Sequence, residues 1–376
     1  MHRLLAFFLA ACAGLHAAPA PAVTVETGEI NGAKFTLVRP ATWNKRVLLL
    51  AHGYRAEDRP LVADLFPEHL AYRTLLDEGW IVAKTSYRRN GIIVADAVAD
   101  LDALREHVAK KFGAPERVLL EGESMGGLVV TLLAERDPAP EDTGRPKYQG
   151  AVAIGAALVI AENNRDVPLS LVPRIPLIFL INQSELDGPR DYVNNHRIPR
   201  PDSSLQPALF RVARDGHVNV NQRERLTALR AVNAWLDHGR VALPEAAAGA
   251  EFFDATVPPA PQPSQVTLHA DHRGLDAQVT EVSGNYGNVE LNLQAADCDA
   301  IGLGKMQWFE LTAHGEKFRV RSGFDFSSVK RGEWVMFPNA DGFYWLARNF
   351  GDAATTARLA VGDTVSLQRY EEAKQN

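Results

Sequence analysis

Between residues 23 and about 240 the chain alternates two hydrophobic periods. Short continuous apolar runs at 47–51, 81–85, 118–121, 150–154 and 176–181 have the pattern of strands buried on both faces. Segments of helical period lie between them. Val94, Val98, Leu101, Leu104, Val108 and Phe112 recur near spacings of three and four, and Gly113 supplies a stop. A second helix is predicted from Asn221, with Glu224 completing a capping box and Leu226, Leu229, Val232, Trp235 and Leu236 on one face, ending at Gly239. Alternation of this kind predicts an α/β domain with a mostly parallel, doubly wound sheet over residues 23–242.

The pattern breaks at residues 255–264, which hold Pro258, Pro259, Pro261 and Pro263. A stretch so poor in backbone donors suits neither a helix nor a sheet interior, so it reads as a linker. Beyond it, apolar runs at 265–269, 278–282, 289–293, 308–312, 317–321, 334–337, 343–347 and 364–367 follow at short intervals, separated by turn pairs such as Gly284-Asn285, His314-Gly315 and Asp341-Gly342. Residues 265–376 therefore read as a small all-β domain, a barrel or a sandwich.

Of the 376 residues, 46% are hydrophobic and 23% charged, which excludes disordered and fibrous classes. A net charge of -6, with no Lys/Arg stripe, argues against a nucleic-acid partner. The apolar segment at residues 4–15 is too short to span a bilayer, so no transmembrane segment is expected. Lying behind Arg3 and leading into small residues, it reads as a signal peptide cleaved after Ala17, and the expected location is periplasmic or secreted. A lipobox-like Leu9-Ala10-Ala11-Cys12 offers a lipoprotein beginning at Cys12 as the alternative. Cleavage after Ala17 leaves Cys298 alone, so stability must come from a large core rather than a disulfide. No His-x-x-x-His pair or cysteine cluster appears, and no metal is expected.

Candidate chemistry centres on Gly122-Glu123-Ser124-Met125-Gly126, a G-x-S-x-G string set between a strand and a helix. Such a turn strains the serine backbone and needs glycines on either side, and it presents the Ser124 hydroxyl at a helix N-terminus with the Met125 amide beside it. The strand at 47–51 runs into His52-Gly53-Tyr54, which makes the Tyr54 amide the second candidate oxyanion donor and His52 a loop brace. His217, in Asp215-Gly216-His217 after a run at 210–213, is the candidate general base. His107, His196 and His238 sit in helical or polar segments and read as surface residues. Past the strand at 176–181, Glu185 and Asp187 compete as the orienting acid. Asp187 is preferred because Gly188-Pro189 looks like a turn that fixes its direction.

Together these residues resemble the α/β-hydrolase superfamily over residues 23–240, in the chain order serine, acid, histidine. The resemblance implies an eight-stranded, mostly parallel sheet, an acyl-enzyme on Ser124 and no cofactor. Too little chain separates Ile154 from Ile175 for a helical lid, so the site is expected to be open or roofed by residues 188–206, which, with Tyr192, His196 and Arg200, become the expected substrate-binding loop. Asn339-Ala340-Asp341-Gly342-Phe343-Tyr344-Trp345 and Gly284-Asn285-Tyr286-Gly287-Asn288 resemble the carboxy-terminal barrel of the S-adenosylmethionine hydroxide adenosyltransferases. That likeness implies a barrel; the amino-terminal domain of that family has no counterpart here, and adenosyl chemistry is not carried over. The function expected is an exported serine hydrolase acting on a small-molecule or polymer ester. A peptidase or amidase with the same triad, and a catalytically silent binding protein, are the alternatives.

Overall fold

A computed structural model describes residues 22–136, 146–158, 168–195, 203–241, 251–284 and 286–370. The apolar runs of the first domain become strands β3 (Arg46–Ala51), β4 (Ile81–Thr85), β5 (Arg117–Glu123), β6 (Gly150–Ile154) and β7 (Leu177–Asn182). They are followed by β8 (Ala208–Val212) and preceded by the hairpin β1 (Val23–Ile30) and β2 (Ala33–Pro40). The order is β1-β2-β4-β3-β5-β6-β7-β8, with β1, β2 and β4 joined antiparallel and the rest parallel. Continuous runs are buried because helices cover both faces. On one face α1 (Leu70–Asp77) and α5 (Gln222–His238) pack Leu75, Trp80, Val232 and Trp235 against Leu48 and Val152. On the other, α2 (Val94–Phe112), α3 (Met125–Glu135) and α4 (Asp187–Val193) cover Leu49, Leu120 and Phe179. The fold is thus the doubly wound α/β sheet expected from the pattern. The cap of α5 forms as read: Asn221 Oδ1 accepts from the Arg223 and Glu224 amides at 3.0 and 2.9 Å, and Glu224 Oε2 accepts from the Asn221 amide at 2.8 Å.

The second domain contains β10 (Thr267–Leu268), β11 (Gly274–Val282), β12 (Val289–Gln294), β13 (Trp308–Ala313), β14 (Glu316–Ser322), β15 (Trp334–Pro338), β16 (Phe343–Arg348) and β17 (Thr364–Arg369). Seven of these close in the order β11-β12-β16-β15-β14-β13-β17 and back to β11, while β10 pairs only with β11. Closure removes the unpaired edges that an open sheet would expose. Two single-turn helices, α6 (Ala295–Ala300) and α7 (Ala353–Ala357), help seal an interior of Leu275, Leu291, Phe309, Leu311 and Leu367. Cys298 on α6 is a buried free thiol.

The sheet of the first domain extends beyond residue 242. β9 (Phe253–Asp254) adds to β8 in parallel, and Ala255 is buried in the same core. Asn221 Nδ2 donates to the Val257 carbonyl at 2.8 Å, and the Val257 amide donates to Glu224 Oε1 at 3.2 Å. The proline segment therefore leaves from a fixed point beside the α5 cap. Polar contacts between the barrel and the sheet domain include His69 Nε2 to Glu281 at 3.0 Å, Arg59 to Asp352 at 2.8 Å, and the Gln222 amide donating to Asp341 Oδ1 at 2.8 Å, the last of these on α5. The last places a carboxylate at the first residue of α5, where the helix dipole favours it.

Glu290, on β12 beside this junction, accepts from Thr280 Oγ1 at 2.8 Å and Asn339 Nδ2 at 2.6 Å. Burial, helped by the Glu281 charge, pushes its carboxyl up to about 7 from 4.5. Between those values the folded chain holds a proton that the unfolded chain has released, so this group makes stability fall as pH rises and level off above 7. Glu290→Gln should remove a destabilisation on the order of 2 kcal/mol at pH 8 while changing little at pH 4.5. Urea denaturation at the two pH values measures it, and equal effects at both would contradict the assignment.

Candidate active site

Ser124 sits between β5 and α3 with φ +55° and ψ -116°, a conformation L-residues avoid. The flanking glycines are steric requirements. A Cβ on Gly122 would lie 2.1 Å from the Gly126 carbonyl oxygen, and one on Gly126 would lie 2.0 Å from the Ala51 carbonyl oxygen. The turn is pinned by the Ser124 amide donating to Ile154 O at 2.9 Å and the Ala157 amide donating to Ser124 O at 3.1 Å. As a result the Ser124 hydroxyl stands at the carboxyl end of the sheet, next to the first amide of α3.

His217 faces it. Its Nε2 lies 2.8 Å from Ser124 Oγ, and its Nδ1 bonds Glu185 Oε1. The loop carrying His217 is clamped to the end of β7 by Asn182, whose amide donates to the Arg214 and Asn219 carbonyls at 3.0 and 2.8 Å and accepts from the Asn219 amide at 2.8 Å. Ser184 adds a bond from the Gly216 amide at 3.0 Å. Asn182 and Ser184 are structural members of the site that the sequence reading passed over. An asparagine closing an apolar strand was the available sign. Hydrogen bonding to Glu185 raises the His217 imidazole above its ordinary 6.5, partial burial opposes this, and the Glu185 and Glu123 charges add to the rise.

The acid beside the imidazole is Glu185; the preference for Asp187 is corrected. Glu185 ends a single 3-10 turn that follows β7 directly, so its side chain is aimed back across the sheet end, close to where a Gly155 Cβ would project (3.2 Å to Oε2). Gly188 and Pro189 are no turn: they belong to the first turn of α4, where proline is tolerated. That leaves Asp187 at the helix start, its side chain 97% exposed and 3.6 Å from Arg190.

His52 braces the loop after β3. Its ring nitrogens contact the carbonyls of Gly53 at 2.6 Å and Ser86 at 3.0 Å, and Tyr87 stacks on it at 4.0 Å. Full burial, with the Arg55 and Lys84 charges, pulls its pKa down to about 3, so it stays neutral. Gly53 lies against the nucleophile, since a Cβ there would be 3.1 Å from Ser124 Cβ. Of the two candidate oxyanion residues, Tyr54 follows Gly53 in the chain and is half exposed, and Met125 follows Ser124 directly and opens α3. Tyr192 is a correction. It is buried against Phe179 at 5.0 Å with its hydroxyl donating to Glu135 at 2.7 Å, so it packs the core instead of lining the site. His196, Arg200 and Cys12 lie outside the described residues, as does the segment at 1–17.

Behind the nucleophile turn, Arg225 of α5 reaches under β5. Its guanidinium bonds Glu121 and Glu123, the latter at 2.5 Å, and Tyr72 donates to Glu121 at 2.9 Å. Burial raises the Glu121 carboxyl despite Arg225. For Glu123 burial pushes the same way, but the Arg225 and Lys84 charges outweigh it and leave the group below its ordinary value.

Residues 279–366 match the family model of the S-adenosylmethionine hydroxide adenosyltransferase C-terminal domain, in agreement with the closed barrel. No curated protein matches. Among solved structures, an uncharacterized conserved protein from Thermotoga maritima is 22% identical, covering 37% of this chain and 49% of that one, with a TM-score of 0.27; this chain thus spans about half its length. A dienelactone hydrolase homologue, so described as putative, from Klebsiella pneumoniae is 16% identical over 57% of this chain and 99% of its own, TM-score 0.41. A Pyrococcus furiosus esterase is 15% identical over 57% and 91%, TM-score 0.38. The α/β-hydrolase fold of the first domain is read from its strand order and the strand, serine, helix turn.

Arg225 is 6% exposed and holds two acids, so replacing it strands buried negative charge. Arg225→Met should cost roughly 3–5 kcal/mol in denaturant unfolding at pH 7, and Arg225→Lys should recover part of that. A Met variant as stable as the parent would mean the two carboxylates do not depend on the guanidinium.

Proposed function

We propose that the protein is an exported serine hydrolase that cleaves a carboxylic ester through an acyl-enzyme on Ser124. The observation that carries this reading is the continuous chain of contacts from Ser124 Oγ to His217 Nε2 and from His217 Nδ1 to Glu185. In the reaction His217 Nε2 takes the hydroxyl proton as Ser124 Oγ attacks the carbonyl carbon. Glu185 holds the Nδ1–H tautomer and stabilises the imidazolium. The Tyr54 and Met125 amides donate to the tetrahedral oxyanion, with the α3 N-terminus adding its partial positive charge. His217 then protonates the departing alcohol, and water, activated by the same imidazole, releases the acid and regenerates Ser124. The basic amino terminus followed by an apolar run and small residues supports export to the periplasm or medium.

A fluorophosphonate probe at low dose should label Ser124 and no other serine, because only an activated hydroxyl reacts fast. Peptide mapping of wild type and Ser124→Ala checks it; equal labelling of the variant would overturn the assignment.

His217 must be neutral to accept a proton, and its pKa is raised, so kcat/KM should fall as pH drops through a value above 6.5. Glu185→Gln should lower kcat at least ~100-fold, as a lost tautomer does, and move that acidic limb to lower pH. Asp187→Asn should stay within about threefold of wild type, as expected of a solvent-facing carboxylate. Steady-state kinetics of the two variants from pH 5 to 9 decide it, and a greater loss in Asp187→Asn would return the role to Asp187.

A further inference from the structure

A cavity of about 240 Å³ lies where the two domains meet, beside the nucleophile turn. Ligand sites favour such concave positions between domains, and this one is of modest size. One wall belongs to the sheet domain and includes Gly53, Arg55, Lys84, Glu123 and Arg225; the other is formed by Glu281, Ser283 and Tyr286 of the barrel. Gly53 ties the cavity to the chemistry. It lines the space, and a Cβ built on it would be only 3.7 Å from Ser124 Oγ.

The charges around the cavity restrict what it can hold. Arg55 and Lys84 both bond Asp64, at 2.5 and 2.8 Å. Arg225 is shared by Glu121 and Glu123, and His69 is held by Glu281 at 3.0 Å. Two cations thus share Asp64 while two carboxylates share Arg225, so the fixed charges around the cavity balance in sum and each side chain is engaged in an ion pair. A net-charged ligand would upset that balance, and a hydrocarbon would strip water from ion pairs without replacing its hydrogen bonds. A neutral ligand rich in hydroxyls avoids both costs. Each hydroxyl can donate to the outer lone pairs of a carboxylate and accept from a guanidinium or ammonium N–H. Phe66 lines the cavity, and Tyr286, 54% exposed, presents a flat ring from the barrel side, the surface that the C–H face of a sugar ring covers.

We propose that this interdomain cavity seats the alcohol part of the substrate and that this part is a neutral, hydroxyl-rich ring, so that the ester cleaved is an O-acyl sugar. The inference rests on the serine-hydrolase reading of Ser124. The acyl carbon bonds Ser124 Oγ, its bond to the sugar oxygen breaks, and that oxygen leaves with the proton carried by His217. Water then takes the acyl group, so the products are the sugar and the free acid. The barrel supplies one wall of the binding site and thereby the preference for this alcohol.

The test uses the full chain and two acetyl esters, methyl 6-O-acetyl-glucopyranoside and 4-nitrophenyl acetate, with wild type and Tyr286→Ala. The ratio of kcat/KM for the sugar ester to that for the nitrophenyl ester should drop at least ~10-fold in Tyr286→Ala, mainly through KM of the sugar ester, as loss of a ring contact in a pocket does. A ratio within twofold of wild type would overturn the proposal. So would a wild-type enzyme that prefers butyl acetate or a negatively charged acetyl ester to the sugar ester. Calorimetric titration of methyl glucopyranoside into Ser124→Ala separates the cavity from the chemistry. Binding that weakens on adding Tyr286→Ala supports the sugar site even if Ser124 proves not to be the nucleophile, and absence of binding overturns it even if nitrophenyl acetate is turned over through Ser124.

Discussion

Three backbone segments meet at the nucleophile with no room for a side chain between them, and the rest of the site follows from that contact. The end of β3, the end of β5 and the first turn of α3 approach so closely that a Cβ at Gly122 or Gly126 would overlap a carbonyl oxygen at about 2 Å. The residue joining β5 to α3 must reverse direction within one step, and Ser124 does so at positive φ. Such a conformation costs on the order of 1–3 kcal/mol and persists only where surrounding bonds enforce it. Here the bonds to Ile154 and Ala157 do so, anchoring Ser124 to the end of β6. With its backbone fixed and the sheet below it, the hydroxyl can point only outward, toward the loop that carries His217.

Electrostatics under the same turn are set by two glutamates on either side of Gly122. Left alone they would repel each other and resist burial, and Arg225 makes the arrangement tenable by bonding both. One guanidinium is shared by two carboxylates, and the field reaching the site from below is that of Glu123 tempered by Arg225 and Lys84. The Glu123 charge contributes to the rise of the His217 imidazole, behind the larger effect of Glu185. In the proposed reaction that field favours the imidazolium formed as Ser124 attacks, without any group having to move when charge develops. His52, only one strand away, is held in the opposite state: burial and two nearby cations keep it neutral against the pull of the two carbonyl contacts, so one ring nitrogen at a time can donate.

What was legible in the sequence is what depends on local pattern. The serine turn, His52-Gly53, the cap of α5 and every β run of the barrel are written in spacings of a few residues. Strand order is not, because it is decided by which apolar faces meet, and β9 escaped notice because a two-residue strand has no period. The misreading of Asp187 has a physical source. Gly-Pro is ambiguous between a turn and a helix start, and only the three-residue 3-10 turn after β7 decides which carboxylate faces the imidazole. Tyr192 was misplaced for a related reason. A tyrosine carries an apolar ring and a polar tip, and Glu135 lets that tip be buried.

One of the contacts of the barrel falls on the helix that supports the nucleophile turn. Asp341 accepts the first amide of α5, an orphan donor that the helix itself cannot satisfy. Three residues on, the same helix carries Arg225, which holds Glu123 next to Ser124. Burial raises the Asp341 carboxyl, and the Gln222 bond and the Arg225 charge oppose that rise. Three residues of helix rise only about 4.5 Å, so the Asp341 contact and the Arg225 ion pairs lie within one turn of each other. The interdomain bond and the ion pairs beneath the serine therefore share one end of α5, beside the capping box of Asn221. That proximity sets the barrel against the end of α5 beneath the nucleophile turn, where the His69 to Glu281 contact and the anchored start of the proline segment also hold it.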